Sequence, residues 1–254
     1  MDKRVKKAME PFWMENFGNP NSLYKEGLAA RNAVETARED AAKILGARAK
    51  EIIFTNGGTE SDNLAIFGVA RGNLDIECPL GHSMSKFHII TTKFEHHAVL
   101  NSCKQLEKQG FEVTYLDVGK EGVVNPKDVA KALRPETVLV SIMYANNEIG
   151  TIQPIREIAK VIRSVKKKGG GNFVPLRTDE EGNPTGTKIP PSFFPLFHTD
   201  ACQAPGYLDL NVERLGVDLL TLNGSKIYGP KGIGLLYVKD GVKLQPLLYG
   251  GEQE

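Results

Sequence analysis

Five segments of the chain carry side chains able to do chemistry. Thr55-Asn-Gly-Gly-Thr-Glu-Ser-Asp-Asn63 has the make-up of a turn opening a helix: two glycines let backbone approach a ligand, and Gly58, Thr59 and the first-turn amides suit a phosphate. It has neither P-loop nor GxGxxG spacing, and a purely structural strand-to-helix turn would look the same. Phe94-Glu-His-His-Ala98 offers His96, which could stack on a ring, shuttle a proton or cap a helix. Its neighbour His97 points elsewhere on a helix, which argues against a two-histidine metal site. Tyr144-Ala-Asn-Asn-Glu-Ile-Gly150 has paired amides that either satisfy turn backbone or present a hydrogen bond to a ligand oxygen. His198-Thr-Asp-Ala-Cys-Gln203 puts Asp200 straight after an apolar run, where a carboxylate without a partner is costly. Finally, the apolar run at 218–222 leads into Asn223-Gly-Ser-Lys226. Burial of Lys226 would lower its pKa, as a Schiff-base amine needs, whereas a lysine that snorkels to solvent is the plainer alternative.

These segments must be held by something, and the pattern between them says what. Short β-rich apolar runs at 51–55, 88–92, 113–116, 138–143, 196–199, 218–222 and 234–238 read as buried strands. Helical periodicity covers 25–45, 59–71, 98–109, 126–133 and 154–168. Gly46 and Gly110 mark helix ends, Pro126 and Pro154 mark first turns, and Lys166-Lys-Lys168 suits the carboxyl end of a helix dipole. The alternation implies an α/β fold, a mostly parallel central sheet with helices on both faces. Each chemical segment then falls at a strand end, the edge where such sheets bind ligands. Two stretches break the alternation, 72–86 and above all 169–195, rich in Gly, Pro and Asn; the second is expected to be a surface loop insertion.

Composition narrows the class. The chain has 254 residues, enough for one large or two small domains, with 32 basic and 31 acidic side chains, so it offers no global field for nucleic acid or an anionic membrane. No run approaches the roughly 18 consecutive apolar residues of a membrane span. The three cysteines, Cys78, Cys103 and Cys202, are far apart and odd in number, which fits a reducing, cytoplasmic setting better than a disulfide framework or a zinc site. Neither a GxSxG elbow nor a HExxH helix is present to suggest a hydrolase or zinc protease.

A carboxylate, a lysine, a histidine and a glycine-threonine turn at the strand ends of one sheet supply what pyridoxal phosphate requires: a ring-nitrogen partner, an amine to bind it, a ring stack and a phosphate seat. The segments Gly18-Asn-Pro-Asn-Ser22, Phe54-Thr-Asn-Gly-Gly-Thr-Glu-Ser61, Glu95-His96, Asn146-Asn-Glu-Ile-Gly150, His198-Thr-Asp-Ala201, Lys226-Ile-Tyr-Gly-Pro-Lys-Gly232 and Gly250-Gly-Glu-Gln-Glu254 resemble, in order, the motifs of cysteine desulfurases. Those enzymes are fold-type-I pyridoxal-phosphate enzymes of the class V aminotransferase family. The resemblance implies Lys226 as the lysine that carries the cofactor, Asp200 as the partner of its ring nitrogen, and His96 as the stacking and proton-transferring group. It also implies Asn147 and Gln203 at the substrate side or phenolic oxygen, with Gly58, Thr59 and Ser225 on the phosphate. The family's usual Ser-Gly-His-Lys is Asn223-Gly-Ser-Lys226 here, which removes an imidazole from the phosphate contact.

The implied activity is removal of sulfur from L-cysteine, giving alanine and an enzyme persulfide for an acceptor such as an iron–sulfur scaffold or a tRNA-thiolation enzyme. The implied assembly is a homodimer. In the family the persulfide cysteine follows the Gly-Gly-x-Gln-Glu motif, so it would lie beyond Glu254; Cys202 is expected to pack behind the ring, and Cys78 and Cys103 to be inert. The expected organisation is an N-terminal segment 1–24, a cofactor domain 25–246 and the start, 247–254, of a connection to an absent small C-terminal domain. Selenocysteine lyase, which shares the motifs and for which the 169–195 insertion is reminiscent, and a catalytically silent cofactor-binding protein are the alternatives.

Overall fold

The computed structural model describes residues 1–72, 87–168, 177–178, 184–185 and 195–251, with backbone alone for 165–168 and the two dipeptides. Cys78, residues 252–254 and most of the expected insertion lie outside the described residues, as do the side chains of Lys166-Lys-Lys168. The strands are β1 (Ile52–Thr55), β2 (His88–Thr92), β3 (Glu112–Leu116), β4 (Thr137–Ser141), β5 (Arg177–Thr178), β6 (Pro184–Thr185), β7 (Leu196–Asp200), β8 (Leu219–Asn223) and β9 (Gly234–Val238). Among the described residues seven form one sheet in the order β1-β9-β8-β7-β4-β2-β3, while β5 and β6 pair with each other. From β8 to β3 every neighbour is parallel, and β9 lies antiparallel between β8 and β1.

The helices are α1 (Lys3–Met9), α2 (Pro11–Met14), α3 (Lys25–Leu45), α4 (Gly58–Gly72), α5 (His97–Lys108), α6 (Pro126–Ala132), α7 (Ile155–Lys168) and α8 (Val212–Leu215). Strand side chains alternate between two cores. Ile90, Val140, Leu220 and Leu235 pack with Leu45 of α3, Val129 of α6 and Ile158 and Ile162 of α7. Ile89, Leu139, Leu219 and Leu236 pack on the other face with Ile66 and Val69 of α4 and Val99 and Leu106 of α5. Both faces are covered, which is why the strands read as continuous apolar runs.

Local chemistry sets the helix ends. Gly46 takes φ +65° after α3 and its amide bonds to the Ala42 and Lys43 carbonyls, a conformation that favours glycine. Asn125 accepts the Lys127 amide at 3.0 Å to start α6, with Pro126 at the first position. The helices α1 and α2 were not legible as periodic segments, and they bury no residue of their own; Phe12, Trp13 and Met14 stand exposed. Chain order reverses around β2: β3 adds on one side and β4, β7 and β8 on the other, so a crevice opens at the carboxyl ends of β2 and β4.

Candidate active site

His96 and Asp200 reach that edge from opposite sides of β4. His96 follows β2 and caps α5, its Nδ1 accepting the Ala98 amide at 3.1 Å, and the residue remains exposed. The capping role and the placement that a ring-stacking role needs are therefore compatible. Asp200 ends β7, is buried, and accepts the Cys202 amide at 2.9 Å in the turn that follows. One ligand atom each from Asp200, His96 and a third residue, Asp62, lie within 4.8 Å of one another. The ring of His97 is tilted 47° to that of His96 with centroids 6.3 Å apart, as their adjacency on a helix requires.

The glycine turn is built for close approach. Thr55 and Ser61 join hydroxyls at 2.7 Å across it, and Asn56 is held by Glu60 through its amide and its side chain. A Cβ on Gly58 would stand 2.8 Å from Cys202 Sγ, and one on Gly234 would meet the Gly57 backbone at 2.5 Å, so β9, the turn and the Asp200 loop are packed to contact. Gly58 and Thr59 open α4, where helix geometry leaves N–H groups without intrahelical acceptors and the dipole favours an anion. Thr59 is exposed there.

Lys226 follows the plainer of its two readings, a lysine open to solvent. It is neither on a strand nor buried: β8 ends at Asn223, and Gly224–Lys226 form a 3-10 turn in which Ser225 and Lys226 are exposed. Asn223 starts that turn by accepting the Ser225 amide at 3.2 Å and hydroxyl at 3.1 Å, which supplies a reason for the asparagine in place of serine. Its hydroxyl thereby serves the turn. Lys226 also borders a largely apolar cleft of about 700 Å³ with Phe54, Tyr207, Leu222 and Tyr228; Asp200 and His96 are not among its lining residues, so this cleft is not where the polar groups converge.

Of the amide pair, Asn146 is the structural member: buried, it donates to the Phe94 carbonyl at 3.0 Å and accepts the Glu148 and Ile149 amides at 2.8 and 2.9 Å. Asn147 is left exposed, and Gln203 half-buried beyond Cys202. The thiol of Cys202 is pushed well up, by burial first and then by Asp200 and Asp62, and that of fully buried Cys103 to about 12 by burial and then Glu95, so neither is disposed to be a thiolate.

Three buried groups went unnoticed in the sequence. Glu95 accepts the Thr92 hydroxyl at 2.6 Å and the Met143 amide on both oxygens at 3.0 Å; burial still lifts it to about 8. His198 binds the hydroxyls of Ser141 and Thr221, and burial lowers it to about 3. Asp62 lies beside it. For Asp62 and His198 the only cue was a polar residue on an otherwise apolar helix or strand face, while Glu95 stands in the turn between β2 and α5, where no apolar pattern marks it.

The donor set fits pyridoxal phosphate: an acid and an imidazole converge at a strand edge, an amine stands on the adjoining turn, and glycine-backed helix amides face the same region.

A family model described as aminotransferase class-V matches residues 1–168 and 195–254. The cysteine desulfurase IscS of Dictyoglomus turgidum is 48% identical over 252 residues, 99% of this chain and 55% of that protein. The cysteine desulfurase IscS of Methanosarcina thermophila is 47% identical, covering 99% of this chain and 53% of that protein. Among solved structures, SspA in complex with cysteine aligns with a TM-score of 0.83 at 39% identity, over 100% of this chain and 63% of that one. A NifS-like protein aligns with a TM-score of 0.83 at 38% identity, over 100% and 60%. The chain thus spans about half the length of the curated relatives it matches.

Proposed function

Because the chain belongs to the class-V aminotransferase family, we propose that it is the pyridoxal-phosphate-binding part of a cysteine desulfurase, acting on L-cysteine to release L-alanine and pass sulfur to an acceptor. The convergence of Asp200 and His96 within 4.8 Å, beside the glycine turn and the Lys226 turn, carries this assignment. Pyridoxal phosphate, when bound, supplies an electron-withdrawing ring that takes up the electron pair left when a bond at the substrate Cα breaks.

The chain's own residues do the rest. Lys226 Nζ holds the cofactor and moves the proton at the substrate Cα. The Asp200 carboxylate holds a proton on the ring nitrogen, and the Cys202 amide keeps that carboxylate aimed. His96 would stack on the ring, exclude water and pass a proton to the leaving side. The amides of Gly58 and Thr59 hold the phosphate, and Ser225 can join them only by turning its hydroxyl away from Asn223. Asn147 and Gln203, neither tied down in a buried network, are left for substrate or the phenolic oxygen. The sulfur-receiving thiol is not Cys103 or Cys202, whose environments keep the proton on sulfur.

We further propose residues 25–246 as the cofactor domain, with 1–24 as an N-terminal segment, 169–195 as an insertion and 247–254 leading away from it. The gap in the family match between 168 and 195 supports the insertion. A homodimer, a cytoplasmic setting and an acceptor protein of iron–sulfur assembly or tRNA thiolation complete the proposal. Among the described residues no helix is long and apolar enough to cross a membrane.

Alanine release with a dithiol present, measured in parallel on L-cysteine and L-selenocysteine with the whole protein, tests the activity. Turnover of cysteine that Lys226→Ala abolishes is expected. Turnover of selenocysteine alone would favour a lyase for that amino acid and overturn the proposal.

A further inference from the structure

The proposed chemistry makes no use of Asp62, yet this is an acid buried next to the ring-nitrogen partner. It lies one turn after Gly58 on the sheet-facing side of α4, 1% exposed, and its Oδ1 has no hydrogen-bond partner. His198 Nε2 stands 3.7 Å from Oδ1, too far for a hydrogen bond, and both imidazole nitrogens already meet hydroxyls, Ser141 at 2.9 Å and Thr221 at 3.0 Å. That imidazole is neutral, since burial holds it near 3, and so gives Asp62 no countercharge.

Two further acids, Asp200 and Glu95, act on Asp62. Burial, then Asp200, raises the Asp62 carboxyl well above the ordinary range, with Glu95 adding to it, and Glu95 is itself lifted to about 8. Two carboxylates in so dry a space do not both ionise. Asp200 receives the Cys202 amide while Asp62 Oδ1 receives no donor, so the charge belongs on Asp200 and the proton on Asp62.

We infer that Asp62 is a positioning residue for Asp200: a protonated acid that holds the pocket at a single negative charge, matched to one cationic ring nitrogen. The inference rests on Asp200 being the ring-nitrogen partner proposed above. An ionised Asp62 would compete with Asp200 for that proton; an apolar replacement would remove the acid beside Asp200 and leave a gap there.

The test uses the whole protein and two readouts. Infrared spectroscopy of the cofactor-free protein at neutral pH should show a protonated-carboxyl band that Asp62→Asn removes, separate from one removed by Glu95→Gln. Equilibrium binding of pyridoxal phosphate, followed by absorbance on folded protein, should stay within about threefold of wild type in Asp62→Asn and weaken about tenfold or more in Asp62→Ala. A merely structural Asp62 would lower the melting temperature of Asp62→Ala without changing that affinity, which overturns the inference. So does tenfold weaker binding by Asp62→Asn, or a spectrum in which Asp62→Asn removes no band; these two remain decisive if Asp62→Ala does not fold. A wild-type protein that takes up no pyridoxal phosphate overturns the positioning role together with the cofactor assignment, and the infrared band then still reports whether Asp62 carries the proton.

Discussion

Glu95 shows how a single residue ties the site to pH. Its folded-state value is about 8 against an ordinary 4.5, raised chiefly by burial. Between those values the folded chain keeps a proton that the unfolded chain has released, so the group's contribution to stability is full below about pH 4.5 and is lost as pH rises through 8. Glu95→Gln keeps an acceptor for the Met143 amide and removes the titration. Thermal unfolding should therefore show Glu95→Gln gaining on wild type as pH goes from 5 to 8; a constant difference would contradict the assignment. At the same scale, Cys202 and Cys103 should resist alkylation by iodoacetamide in folded protein at neutral pH, because both thiols are pushed up by burial. Rapid labelling of either would contradict that environment. Residue by residue, Asp200 and His96 could be found from sequence because polar groups there interrupt apolar strands at their ends. Asp62 and His198 could not, since a polar residue on the inner face of a helix or strand is read as an exception to the pattern until its neighbours are known.

At the scale of elements, the seven main strands and five long helices follow from periodicity and end signals, with Gly46 and Pro126 marking boundaries where they stand. The helices α1 and α2 escaped because they bury nothing and so impose no apolar period. The Lys226 turn escaped for another reason: the Asn223 side chain redirects the chain out of β8 before the lysine, a local hydrogen bond that hydrophobic pattern does not register. Packing of the glycine turn on the Asp200 loop makes an element-scale prediction. Gly58→Ala would drive a Cβ to 2.8 Å from Cys202 Sγ and should cost about 1–3 kcal/mol in denaturant unfolding. Adding Cys202→Ala should return most of it, and strictly additive losses would show that the two positions do not touch. Gly234→Ala has no such relief, because its Cβ would meet Gly57 backbone at 2.5 Å rather than a side chain.

For the molecule as a whole, the sheet order puts His96, Asp200 and the β8 turn along one edge although they are far apart in sequence, and this is what makes a site out of scattered motifs. If 169–195 is an insertion into that scaffold, replacing residues 169–194 with a short Gly-Ser linker should leave the melting temperature and pyridoxal phosphate affinity near wild type, whereas loss of folding would make the segment part of the cofactor domain. The central claim is the covalent attachment of pyridoxal phosphate to Lys226. Borohydride reduction of the protein after incubation with pyridoxal phosphate, followed by peptide mass spectrometry, measures it directly. One modified peptide is expected, carrying the cofactor on Lys226 and absent from Lys226→Ala; modification centred on another lysine, or none, would rule out that attachment.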